Sequence, residues 1–158
     1  MKISAFVLGL CLSACATTGP ESWVEDEVDA ASQRLLWQIT AIALEKEDFP
    51  VGTGVDPSTE EVTTGWRLDL APFKGEGFRT QAHVRYEKAA PGKYRVFVRV
   101  ARESNEDLAH PMDPSYAKWK RAPDDTVQAQ IIIQHIKAWM AGDLEVSEGA
   151  SGPSPDRD

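Results

Sequence analysis

Apolar positions first recur at helical spacing and then switch to alternation. Val24, Val28, Ala31, Leu35, Ile39 and Ile42 follow one another at three- and four-residue steps, the stripe of one helix face. Ser22 and Glu25 have the spacing of a capping box. Glu25, Asp26 and Glu27 suit the positive end of a helix dipole, and Asp48 and Pro50 bound the far end. The pattern predicts a helix from Ser22 to just before Asp48. Phe49 to Glu61, with Gly52, Gly54 and Pro57, reads as a loop.

From Val62 the period is two. Val62, Thr64, Trp66, Leu68 and Leu70 alternate with Thr63, Gly65, Arg67 and Asp69. After Pro72, Gly75 and Gly77, a second run sets Phe78, Thr80, Ala82, Val84 and Tyr86 against Arg79, Gln81, His83, Arg85 and Glu87. Beyond Pro91-Gly92, Tyr94, Val96, Val98 and Val100 alternate with Arg95, Phe97, Arg99 and Ala101. Three such runs predict a three-stranded antiparallel meander with one buried face. Charge selects a register: Glu87 opposite Arg95 puts Tyr86 opposite Val96, Arg85 opposite Phe97 and His83 opposite Arg99. A slip of two sets Arg85 against another arginine.

Ser104 to Pro123 reads as an irregular connector. A last helix follows, with Asp125 and Gln128 as a second capping box. Ala129, Ile132, Ile133, Ile136, Trp139 and Met140 form its apolar face, and Gly142 is its expected C-cap. The expected fold class is α+β: a two-layer domain of N-terminal helix, three-stranded antiparallel meander and C-terminal helix, both helices on one sheet face.

The chain's 158 residues suffice for one domain. Its 42% hydrophobic content, with five Trp, five Phe and three Tyr, can fill a core. The net charge of −8 argues against nucleic acid as partner. Two cysteines support neither a disulfide framework nor a four-cysteine zinc site.

Both cysteines lie in the N-terminal address. Lys2 precedes a charge-free, mostly apolar stretch from Ile3 to Ala14, too short to span a bilayer and suited to a signal peptide. It ends in Leu12-Ser13-Ala14-Cys15, which resembles the lipobox of bacterial lipoproteins. The resemblance implies cleavage before Cys15, diacylglycerol on its sulfur and acylation of the new amino group. Ordinary signal cleavage is the alternative. Ala16 after the cysteine, where an Asp would retain a lipoprotein in the inner membrane, implies the outer membrane, with the domain on the periplasmic side. The expected organisation is 1–14 signal peptide, 15–21 lipidated cysteine and tether, 22–142 domain, and 143–158 disordered acidic tail. In topology alone, the order helix, meander, helix resembles the helix-grip domains of accessory lipoproteins in outer-membrane assembly machines. That resemblance carries no functional residue across.

Candidate chemistry is sparse. His83, His110 and His135 form no zinc-ligand spacing. His110 and Asp113 could approach one another, though a solvated loop explains both. His135 is expected to be a boundary residue bonded to a neighbour. No phosphate loop, dinucleotide fingerprint or nucleophile elbow occurs. The expectation is therefore no catalytic residue, no metal and no cofactor.

Two surfaces remain. The outer sheet face is expected to carry Arg67, Arg79, His83, Arg85, Arg95, Phe97 and Arg99, with only Glu87 to neutralise its second and third strands. That suits an anionic partner through bidentate bonding and stacking. Exposed arginines add little stability, so replacing Arg85 and Arg99 is expected to leave folding intact. Trp37 and Leu44, opposite the first helix's apolar stripe, form a possible second patch. The functional expectation is a lipid-anchored, non-catalytic envelope adaptor that contacts another envelope protein or an anionic ligand. The alternative is a small-ligand or lipid carrier with a pocket lined by Trp66, Val84 and Ile136; a hydrolase ranks behind it.

Overall fold

The computed structural model describes residues 20–52, 60–70 and 76–149, with side chains to 142. Cys15, the expected signal peptide, most of the tether, the tail from 150 and the loop residues Gly54, Pro57, Pro72 and Gly75 lie outside the described residues.

The sheet is built on one long hairpin. β4 (Phe78–Ala90) and β5 (Lys93–Asn105) pair antiparallel, with Glu87 opposite Arg95, Tyr86 opposite Val96, Arg85 opposite Phe97 and His83 opposite Arg99. This is the register that charge selects. The turn places Pro91 where φ is preset and Gly92 at φ 74°, a left-handed conformation that only glycine adopts freely. Ala82, Val84 and Tyr86 face Val100, Val98 and Val96 on the buried side.

The expected two-layer fold of a three-stranded meander with both helices on one face is not the one found: the sheet has six antiparallel strands. β1 (Val24–Asp29) and β6 (Trp119–Ala122) both pair with β5, end to end along one flank. β2 (Glu61–Thr63) and β3 (Arg67–Asp69) do the same along β4 on the other. Short flanking strands of this kind blunt the sheet's edges. β6 comes from the segment expected as irregular connector.

The expected first helix is a strand followed by a shorter helix, α1 (Gln33–Lys46). Val24 and Val28 are four apart, a separation that a period of two satisfies as well as a period of 3.6. Glu25, Glu27 and Asp29 are cross-strand neighbours of Phe97, Arg95 and Lys93, not dipole partners. The cap is Ser32, whose Oγ accepts the Leu35 N–H at 3.2 Å. Without Val24 and Val28 in the stripe, the buried face rotates to Leu36, Thr40, Ala43 and Leu44. Leu35 and Ile39 are half-buried and Ile42 is exposed. The chain leaves α1 through Asp48, at φ 58°, and Phe49 donates its N–H back to Leu44.

The run from Val62 to Leu70 is split by one extra residue. Val62 lies opposite Val84, but Arg67 lies opposite Thr80, one out of step. Between them Gly65 donates to the Pro50 carbonyl at 2.8 Å; a Cβ there would come within 3.1 Å of the Pro50 Cβ. Past this bulge the faces swap. Arg67 therefore joins buried Thr80 on the core side, and Trp66 stacks beneath Arg79 on the outer side.

α2 (Thr126–Gly149) starts as its sequence indicates, with the Gln128 N–H on Asp125 Oδ1 at 2.9 Å. Ala129, Ile132, Ile133, Ile136 and Met140 are buried in one cluster with Leu36, Val84 and Val98. Gly142 does not cap it: the helix runs seven residues further, through Gly149, and an interior glycine costs only about 1 kcal/mol.

Replacing Leu36 or Ile136 with Ala is expected to cost about 2–5 kcal/mol, and Ser32 with Ala about 1 kcal/mol. Ile42→Ala should stay within about 0.5 kcal/mol. Denaturant midpoints check this; an Ile42 effect matching that of Leu36 would contradict the rotated face.

Candidate functional site

The outer face brings Arg79, His83, Arg85, Arg95, Phe97 and Arg99 together, as alternation along β4 and β5 requires. It does not leave the arginines free. Arg99 is 8% exposed. Its Nε donates to Asp124 Oδ2 and its Nη1 to Glu21 Oε1, both at 2.7 Å. Asp124 also accepts the Ser22 N–H at 2.9 Å. Burial alone would raise the Asp124 carboxyl; the Arg99 guanidinium and the Ser22 N–H overcome it and hold the group below its ordinary value.

Arg79 lies between the Trp66 and Trp119 rings, 4.3 and 4.8 Å from their centroids, with Glu103 at 2.6 Å. Arg85 covers Trp23 at 4.4 Å and reaches Glu61 at 3.2 Å. Arg95 lies over Phe97 at 5.9 Å and 3.6 Å from Glu87. His83 Nδ1 sits 3.1 Å from Thr63 Oγ1. Burial, then the charge of Arg99, lower its pKa, so it is neutral near pH 7. Arg67 is absent from this face. It stacks on buried Phe49 at 4.4 Å and donates to the Glu47 carbonyl at 2.5 Å, a cation closing the C-terminal end of α1.

The expected cationic platform is thus a charge-balanced lattice. Apart from Glu87, its carboxylates come from β2, from the end of β5 and from the segments before β1 and α2, none of which the meander contained. Glu25, Glu27 and Asp29 add further acid along β1.

The second expected patch does not form: Leu44 is fully buried and Trp37 is half-buried against the core. The expected carrier pocket does not form from its named residues either, because Val84 and Ile136 are core while Trp66 lies on the opposite face. His110 stacks on Tyr116 and lies 3.7 Å from Asp107, and the Asp113 N–H donates to the His110 carbonyl. His135 sits at a boundary as expected, stacked on Trp139; its Nδ1 lies 3.1 Å from Glu47 Oε1 but makes no hydrogen bond.

A surface that pattern reading misses is the outward side of α2. Its exposed positions from 126 to 142 are Thr126, Val127, Gln130, Ile131, Gln134, Ala138, Ala141 and Gly142, none of them charged. Val127 is 69% exposed. Thr126, Val127, Gln130, Ile131, Gln134 and His135 line an open cavity of about 470 Å³. The available signal is Ile131-Ile132-Ile133: successive helical residues are about 100° apart, so three isoleucines cannot all face one core. Among the described residues, no group of three or more His, Cys, Asp or Glu is placed to hold a metal ion, and no helix is long and apolar enough to cross a membrane. No protein-family model and no curated protein matches the chain.

The Asp124 contribution carries a pH signature. With its pKa depressed in the fold, the stabilisation is present above the unfolded value of about 3.9 and is lost as pH falls through the lower folded value. Asp124→Asn, which leaves Arg99 buried without the more buried of its two anions, is expected to cost about 3–5 kcal/mol at neutral pH. The gap from wild type should narrow near about pH 3. Unfolding midpoints at the two pH values test this; a gap independent of pH would contradict it.

Proposed function

We propose that this chain is a lipid-anchored envelope protein, held at the periplasmic side of the outer membrane, that works as a non-catalytic adaptor and engages another envelope protein through the outward face of α2. The observation that carries the binding role is that none of the exposed positions of α2 between 126 and 142 is charged. Charged residues are 27% of the chain, and α1 exposes Arg34, Glu45 and Lys46. Val127 and Ile131 are exposed there among uncharged Thr126, Gln130 and Gln134, and depletion of charge marks the centre of protein interfaces.

The anchor rests on Leu12-Ser13-Ala14-Cys15 and on Ala16. A protein partner is favoured over an anionic ligand because the sheet's arginines already hold carboxylates. An incoming anion would have to displace them.

Cys15→Ala is expected to abolish acylation and cleavage at that site. Intact mass of the membrane form reads this directly, and a mature chain beginning at Cys15 without acyl mass would overturn the anchor. Ile131→Glu should leave the unfolding midpoint close to wild type, because the site is exposed. It should reduce crosslinked partner recovery from native membranes at least tenfold, the effect of about 1.4 kcal/mol. Recovery equal to wild type would remove α2 from the interface.

A further inference from the structure

We infer that the 106–118 loop, between β5 and β6, is the end of the domain that rests in the membrane interface, with Leu108, Met112 and Tyr116 at headgroup depth. The inference rests on the lipid-anchor reading and adds the orientation of the domain to it. These three side chains are 71%, 56% and 56% exposed, and they fall within nine residues of one another.

The loop is built to hold them out. Buried Asn105 accepts the N–H groups of Asp107 and Lys118 on its Oδ1, at 2.9 and 3.0 Å, which latches the loop's two ends. Asp107 Oδ1 accepts from Ala109 and His110, and Asp113 Oδ1 from Ser115. Those hydrogen bonds also hold both carboxyls below their ordinary values. Tyr116 is braced by its stack on His110 at 4.5 Å. The loop's polar backbone is thus largely satisfied from within while its apolar side chains face out, as an interfacial contact requires. A tyrosine with one apolar and one polar end suits that depth.

The anchor's direction selects this end. Glu21 is clamped to Arg99 at 2.7 Å. β1 runs antiparallel to β5, so the chain leaves β1 backwards in the direction of Asn105. Asn105 is six residues beyond Arg99, about 20 Å along the strand. Cys15 is six residues before Glu21, a reach of at most about 21 Å. This end of the domain is therefore within the tether's reach. Reaching past the Pro91-Gly92 turn would require the tether to reverse and span a greater length. The outer sheet face is the other surface within reach, but it would press Glu25 and Glu27 against the lipid, whereas the loop's exposed Glu106 is paired with Lys120 and its Asp113 is held by Ser115.

The test uses the full acylated chain in vesicles of phosphatidylethanolamine with a minor share of phosphatidylglycerol. An environment-sensitive fluorophore is placed on Met112→Cys, and in separate chains on Ala89→Cys beside the hairpin turn and Glu25→Cys on the outer face. Leu108→Cys replaces Met112→Cys should that variant fold poorly. The expected result is a blue-shifted label at 112 quenched several-fold more by headgroup spin-labelled lipid than either of the others. An acylated, membrane-bound protein whose label at 112 is as wet as that at 89 overturns the orientation and leaves the anchor standing. So does a quenched label at 25 with a wet one at 112. A label at 112 that is shielded in native membranes but wet in protein-free vesicles assigns the loop to a protein and also overturns it. An intact mass without acyl chains overturns the anchor and the orientation together.

Discussion

A two-residue turn at Pro91-Gly92 sets β4 against β5, and the other elements take their places from that ladder. Because β5 is thirteen residues long, its flank accommodates β1 beside residues 93–98 and β6 beside 102–105. Val100, between them, accepts the Asp125 N–H at 2.8 Å and so fixes where α2 begins. The inward valines of β4 and β5 then meet Ile132, Ile133 and Ile136. A shift of one residue in the hairpin would turn every one of those valines outward.

The second organising feature is the way an acidic chain carries its arginines. Arg79, Arg85 and Arg95 each have one face on an aromatic ring and an edge on a carboxylate, so each covers apolar surface while its charge is answered. At Arg99 this becomes structural. Asp124 and Glu21 converge on it from segments far apart in sequence, tying the entry to β1 and the approach to α2 onto the middle of β5. Asp26 plays a smaller version of the same part. It points inward from an edge strand onto Lys137 of α2 at 2.7 Å, and an inward charge at an edge discourages pairing with another chain.

With the sheet's charges balanced internally, the molecule's unsatisfied surface is apolar. Among the described residues, with Ile42 and Leu68 exposed singly elsewhere, it gathers along the outside of α2 and at the 106–118 loop. Neither adds to the core of the domain, and each exposes side chains that a monomer in water gains nothing by displaying. In the proposed reading, the loop meets the membrane and the outward side of α2 meets a partner.

Local spacing in the sequence determined the elements whose pattern is unambiguous. The β4–β5 hairpin, its register and the start and buried face of α2 all follow from alternation, one Pro-Gly pair, one Glu–Arg pair and one capping box, because each is an interaction between near neighbours in the chain. Where two periods share a spacing, the sequence was ambiguous. Val24 and Val28 fit a strand or a helix, and only pairing of β1 with β5 decided between them. The bulge at Gly65 was invisible for a similar reason: alternation continues through it on paper, and only the Gly65–Pro50 contact shows that the faces of Trp66 and Arg67 exchange. Fold class and candidate site were misjudged together, since the strands absent from the expected meander carry or position several of the carboxylates that pair the arginines. Charge neutralisation across a sheet depends on which segments become neighbours, and tertiary structure alone determined that.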